Sequence, residues 1–285
     1  MIHYFINKGG KFISCKYWCF SPIPKAIVFI SHGEGEHSLI YERLANELTK
    51  INISVFSHDH VGHGKSQGKR LSVTSFNVYI QDVIQHVNIF KKSYPNVPMY
   101  ILGHSMGSAI AILISVKYPN IFDGIILLSP MINFLENLSF CDVLKTYLYN
   151  IFYPSKIIYK INVNMLSNNI KENASYNLDP YICSNKMSAA FCYQVMCLTS
   201  SAKKKINNVK IPIIVLHGIN DVICDVKWSK YIIKSVGSYD RTIKLYKGAN
   251  HDLHREVEDI RDTVFSDIKV WLINRSKVSY YDVLI

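Results

Sequence analysis

The pentapeptide Gly103-His104-Ser105-Met106-Gly107 constrains this 285-residue chain more than any other stretch. It joins the apolar run Met99-Tyr100-Ile101-Leu102 to a small-residue run opening at Ser108-Ala109, so it stands where a strand gives way to a helix. The two glycines remove Cβ atoms where strand exit and helix entry come close, which lets Ser105 adopt an unfavourable backbone conformation and expose its Oγ. By chance alone a Gly-x-Ser-x-Gly arises in roughly one chain of this length in ten, so its surroundings decide its meaning. Here the strand-to-helix setting matches the sharp turn on which a sheet enzyme presents a nucleophilic serine.

A serine hydroxyl needs an imidazole to take its proton, and the imidazole needs a carboxylate to fix its tautomer and offset its charge. Both follow downstream in the order serine, acid, histidine. Asp221 closes the segment His217-Gly218-Ile219-Asn220-Asp221 after the apolar run Ile213 to Leu216, and His251 closes Lys247-Gly248-Ala249-Asn250-His251 after Ile243 to Tyr246. Asp225, one helical turn on, is the rival acid, but the Gly-x-x-Asp spacing favours Asp221. His254 is the rival base, expected on a turn at the pocket mouth. Acyl transfer also needs main-chain donors for the tetrahedral oxyanion. Met106, directly after the serine, supplies one, and Glu34 in His32-Gly33-Glu34-Gly35 supplies the other through its backbone N–H. The Glu34 side chain is expected to point away, because a carboxylate beside the oxyanion would oppose it. The run His58-Asp59-His60-Val61-Gly62-His63 resembles a two-metal motif but carries Gly62 where an aspartate is required. These histidines, with His32 and His104, are therefore read as structural, and neither a metal nor an organic cofactor is expected.

The elements alternate. A hairpin over Ile2 to Ile6 and Phe12 to Trp18 precedes the continuous apolar strand Ala26 to Ile30, a helix over Tyr41 to Lys50 and a strand at Ile53 to Phe56. A long amphipathic helix from Ser75 stops at Pro95, and after the serine turn come strands at Ile125 to Leu128, Ile213 to Leu216 and Ile243 to Tyr246, with helices around Trp228 to Val236 and Ile260 to Ile273. This predicts an α/β fold with a mostly parallel central sheet covered by helices on both faces, the α/β-hydrolase fold. The stretch 132–201 breaks the alternation and has no convincing sheet strand, so it is read as a helical cap inserted between the two core segments 1–131 and 202–285.

Hydrophobic residues make up 49% of the chain, enough for a sizeable core. The start lacks a basic segment followed by a long apolar one, and no apolar run approaches the ~20 residues of a membrane span; a cytoplasmic protein, peripheral to membranes at most, is expected. Seven cysteines without zinc-ligand spacing point to reduced thiols, with Cys183, Cys192 and Cys224 near the site. The net charge of +11 is spread along the chain, with a single run at Lys203-Lys204-Lys205. No nucleic-acid motif accompanies it, so an anionic lipid surface is the better partner and nucleic acid is not expected.

The segments Ser31-His32-Gly33-Glu34-Gly35-Glu36-His37-Ser38, His58-Asp59-His60-Val61-Gly62-His63-Gly64, Leu102-Gly103-His104-Ser105-Met106-Gly107 and Gly248-Ala249-Asn250-His251-Asp252-Leu253-His254-Arg255-Glu256 closely resemble monoacylglycerol lipases. The similarity runs in register from about Tyr17 to Arg275, is weakest in the cap, and is strongest toward the monoglyceride lipase-like proteins of poxviruses. It implies a serine esterase that cleaves monoacylglycerol to fatty acid and glycerol, with Ser105, Asp221 and His251 as triad, Glu34 and Met106 as oxyanion donors, and Glu36 and His254 toward the glycerol. It also implies a mobile apolar cap that docks on membranes, to which the cluster Leu135, Leu138, Phe140, Leu144, Tyr147, Leu148, Ile151 and Phe152 corresponds. Three departures stand out: Glu34 for a small residue, Ser108 for glycine, and Ile40 for an arginine. The same scaffold serves lysophospholipases and general carboxylesterases, and a catalytically silent lipid-binding or host-interaction module is the alternative of another class.

Overall fold

The computed structural model describes residues 3–18, 21–134, 139–183 and 186–276. Two N-terminal strands, β1 (His3–Ile6) and β2 (Phe12–Trp18), form the expected hairpin. There follow β3 (Ala26–Ser31), α1 (Glu42–Thr49), β4 (Ile53–His58), α2 (Asn77–Lys91), β5 (Met99–His104), α3 (Met106–Lys117) and β6 (Gly124–Leu128). Past β6 lie α4 (Phe140–Phe152), β7 (Ile157–Lys160), α5 (Ile170–Leu178), β8 (Lys186–Ser188) and α6 (Ala189–Lys205); β9 (Ile213–Gly218), α7 (Lys227–Ser235), β10 (Arg241–Tyr246) and α8 (Glu258–Ile273) complete the chain.

Eight strands form one sheet in the order β1-β2-β4-β3-β5-β6-β9-β10, parallel from β4 to β10 and antiparallel where β2 meets β1 and β4. The continuous apolar runs of β3, β5 and β6 are what a sheet covered on both faces requires. Alternate side chains go to opposite layers: Ile27, Phe29, Ile101, Ile125 and Leu127 pack with α2, α3 and α6, while Val28, Ile30, Leu102, Ile126 and Leu128 pack with α1 and α8. All the parallel strands point the same way, so the loops after β3, β5, β6, β9 and β10 open at one rim.

One expectation about the stretch after β6 is revised. It holds strands after all: β7 and β8 pair antiparallel as a separate two-stranded sheet. They were illegible because each is short, half exposed and without a clean alternation. In addition, the expected cap boundary at residue 201 falls inside α6, whose Phe191, Cys192, Val195, Leu198 and Ala202 are buried in the same layer as α3. Leu135 and Leu138 of the expected apolar cluster, and the side chain of Phe140, lie outside the described residues.

Candidate active site

Ser105 sits between β5 and α3 with φ of 49° and ψ of −117°, a left-handed conformation that a residue with a Cβ adopts only under constraint. The constraint is visible. A Cβ on Gly107 would lie 2.0 Å from the Ser31 carbonyl oxygen, and one on Gly103 would lie 2.4 Å from that of Gly107. The turn is thus pressed against the end of β3 with no room for side chains at either glycine. The Ser105 N–H donates to the Leu128 carbonyl (3.0 Å), and Ser108, in the glycine's usual place, donates its hydroxyl to the Gly103 carbonyl (2.7 Å). The serine at 108 therefore braces the turn.

Asp221 and His251 come together from the loops after β9 and β10. His251 Nδ1–H donates to Asp221 Oδ2 at 2.7 Å, and His217 Nε2–H donates to the same oxygen at 2.9 Å. Asp221 Oδ1 accepts the Ile223 and Cys224 N–H groups at 2.8 and 2.9 Å. Burial raises the affinity of this carboxyl for a proton, but the His251 charge and the hydrogen bonds from both histidines outweigh it and hold Asp221 well below the usual carboxylate range. For His251, burial opposes the charged form, yet Asp221, helped by Asp252 and Glu36, pushes it up to about 9. Asp225 does not contact His251 through a hydrogen bond; it lines a cavity instead.

The segment after β6 stitches these loops to the serine. Met131 N–H donates to the Ser105 carbonyl (3.2 Å), and Ser129, itself at φ of 42°, donates its hydroxyl to the His251 carbonyl (2.6 Å). The Ser105 hydroxyl lies at the Cys224 thiol, beside Asp221. No hydrogen bond joins it to the His251 ring in this structure; catalytic contacts of this kind commonly tighten only with substrate in place. Burial pushes the Cys224 thiol well above its ordinary value, which makes it an inert neighbour and not a competing nucleophile. His217 and Ser129 escaped the sequence reading. A histidine at the end of β9, four residues before the acid, was the available signal for the first.

The main-chain amides of Glu34 and Met106 have no hydrogen-bond acceptor among the described residues. The Glu34 side chain is buried. It is 8% exposed and lines a cavity of 90 Å³ with Met131, Ile132, Phe134, Tyr159, Ile223 and Trp228, and its Oε2 has no partner. Burial first, then the Glu36 charge, push this carboxyl up to about 8 against a smaller opposing effect of His251. At neutral pH it is a neutral acid, so the repulsion that motivated the expectation is absent.

Glu36 is buried behind the same loop, where its Oε2 accepts from the Gly33 N–H (2.7 Å), the Tyr41 hydroxyl (2.5 Å) and His104 Nδ1 (3.2 Å). His254 sits on the turn Leu253–Arg255. It is 2% exposed and stacked on the Tyr41 ring, with both ring nitrogens unpartnered, and it borders a second cavity of 650 Å³. The other histidines hold the loops together: His32 Nε2 accepts from the His60 N–H (2.9 Å), His60 meets Ser31 Oγ (3.1 Å), and His58 and His86 pair through Nδ1 (3.2 Å). Burial keeps His32, His58, His60 and His86 below the ordinary histidine value.

Glu34 gives a stability test. Its folded value of about 8 exceeds the unfolded value of 4.5, so the folded chain holds this proton more tightly, and stability declines as pH rises through that window. Glu34→Gln removes the effect. Urea unfolding at pH 5, 6.5 and 8 should show the variant gaining on the wild type by about 3–5 kcal/mol between the first and last pH; a pH-independent difference would show that the carboxyl is not held neutral.

Comparison with known proteins places this geometry. The family described as "Serine aminopeptidase, S33" matches residues 22–258. Monoglyceride lipase of Rattus norvegicus is 39% identical over 96% of this chain and 91% of its own, and the monoglyceride lipase homolog of Monkeypox virus is 38% identical over 95% and 98%. The crystal structure of a soluble variant of monoglyceride lipase from Saccharomyces cerevisiae, 24% identical, superposes with a TM-score of 0.86 over 97% of this chain and 96% of that one, which fixes the α/β-hydrolase fold. On this evidence the chain belongs to the monoglyceride lipase family of serine hydrolases.

Proposed function

We propose that the protein hydrolyses the ester bond of monoacylglycerol, releasing fatty acid and glycerol through an acyl-serine intermediate. The observation that carries this reading is the Asp221–His251 pair, 2.7 Å apart, at the rim where Ser105 is held in a strained turn. Asp221 fixes the His251 proton on Nδ1, which leaves Nε2 to take the Ser105 proton as Oγ attacks the ester carbonyl. The Glu34 and Met106 amides receive the oxyanion, each donor supplying about 3–4 kcal/mol. Imidazolium then protonates the departing glycerol oxygen, and water, activated by the same nitrogen, releases the acid. Each step uses the chain's own residues and water.

The 90 Å³ cavity is large enough for only the first few carbons of the acyl chain, and it receives that part. The leaving alcohol belongs on the side of His254, whose free ring nitrogens suit a diol, while Glu36 acts from behind by fixing Gly33 and Tyr41. Arg43 and Arg255 border that cavity but are already paired with Glu172 and Asp252, which favours an uncharged polyol over a phosphate head group. Ser105→Ala should lower monoacylglycerol hydrolysis by about 10³-fold or more with the circular dichroism unchanged; turnover retained within tenfold would remove Ser105 from the mechanism. Lysophosphatidylcholine, assayed beside it, should be the poorer substrate.

The segment between β6 and β9 serves as the cap in this reading. Its α4 starts at a capping box, Ser139 with Asp142, and leaves Leu144, Tyr147, Leu148, Ile151 and Phe152 exposed. Such an apolar face, on a protein of charge +11, suits an anionic membrane surface that delivers the lipid. No helix of the described residues is long and apolar enough to cross a membrane, so peripheral contact is the mode proposed. Among the described residues, the free thiols at Cys15, Cys141, Cys183, Cys192, Cys197 and Cys224 suit a reducing, cytoplasmic compartment. Sedimentation with anionic liposomes should fall about tenfold when Leu148 and Phe152 are both changed to serine; unchanged sedimentation would discard the membrane face.

A further inference from the structure

The proposed mechanism uses the Glu34 amide but not its side chain. It is a carboxyl set in an otherwise mostly apolar wall, more than nine-tenths buried, with Oε2 facing no protein partner. Asn133, Tyr159, Cys224, Asp225 and Trp228 also bring polar groups to that wall, yet none of them supplies a partner to Oε2. A buried polar group of this kind is retained at a cost, and the cost is offset when a ligand brings the missing partner. Its position also says which part of a ligand it meets. The Glu34 amide is the proposed oxyanion donor, and the cavity that its residue lines is also lined by Cys224, the neighbour of the Ser105 hydroxyl, so the part of a ligand within reach is the stretch of acyl chain next to the ester carbonyl.

We propose that the Glu34 side chain is a specificity-determining residue of the acyl cavity, favouring acyl groups that carry a hydroxyl or other hydrogen-bonding function near the carbonyl over plain alkyl chains. This rests on the esterase reading and narrows its substrate class. As a neutral acid at physiological pH, Glu34 both donates and accepts, so it matches a hydroxyl in either role. A site built around a hydrogen bond discriminates strongly against the analogue that lacks it, because the buried group is then left unpaired; a purely apolar pocket discriminates far less in the opposite sense. The small residue that Glu34 replaces in the resemblance would leave the wall apolar and the preference absent.

The test compares two esters on the same enzyme preparation, 3-hydroxydodecanoyl glycerol and dodecanoyl glycerol. The kcat/KM ratio should favour the hydroxylated ester in the wild type and fall by about tenfold in Glu34→Ala, chiefly through faster turnover of the plain chain. Glu34→Gln, whose amide still donates and accepts, should keep most of the preference, which separates hydrogen bonding from a general loosening of the loop. A wild-type ratio at or below one, or a ratio that Glu34→Ala leaves unchanged, would overturn the proposal. Binding of the two free acids to the Ser105→Ala protein gives a readout independent of chemistry. Tighter binding of the hydroxylated acid that is lost when Glu34→Ala is added supports the cavity assignment even if neither ester is cleaved, in which case only the esterase reading fails. Equal binding of both acids counts against the proposal even if both esters are cleaved.

Discussion

The charged hydrogen bond from His251 Nδ1 to Asp221 Oδ2, 2.7 Å long and shut away from water, determines what the rim of the sheet can do. It fixes one imidazole tautomer and sets the proton affinity of the other ring nitrogen. It also explains the density of donors around Asp221. Two main-chain amides and the His217 ring converge on the same carboxylate because a charge in a dry site needs every available partner. His217 is in turn anchored by Ser229 on α7, so the acid is braced by the helix that follows it as well as by its own loop.

A second electrostatic balance lies across the serine. Glu36 is held ionised behind the β3 loop: burial opposes its charge, but His104 outweighs that through charge and hydrogen bonding, with His254 and Tyr41 adding to it. Glu34, two residues earlier, is neutral because burial and the Glu36 charge act in the same direction on it. One loop thus carries an ionised and a neutral carboxyl with opposite duties. The first shapes the loop from behind by binding Gly33 and Tyr41; the second faces the cavity and is left for a ligand.

Much of this was legible in the sequence, and the reasons are local. The doubly buried strands β3, β5, β6 and β9 announce themselves as continuous apolar runs, and Gly103 and Gly107 bracket the serine because the turn admits no Cβ at either place. The choice of Asp221 over Asp225 followed from spacing after a strand, and the geometry joins Asp221 to His251. What escaped were features that depend on three-dimensional neighbours. The Glu34 side chain was expected to point away from the oxyanion on the assumption that it is charged, and only the burial and the Glu36 charge around it, absent from any local pattern, push its carboxyl up to about 8. Ser129 and the short β7–β8 pair carry no periodic pattern, since each is specified by a partner distant in the chain, and His217 escaped because its role depends on the fold of the loop that returns Asp221 to it.

The central claim is that Ser105, His251 and Asp221 act as one unit. Mapping the protein after reaction with a fluorophosphonate tests it most directly, because the probe modifies only a serine whose hydroxyl is activated. The account expects one adduct per chain, on Ser105, formed at a rate that rises with pH as His251, pushed up to about 9, loses its proton. An adduct on another residue, or labelling of Ser105 at a rate indifferent to that proton, would contradict it.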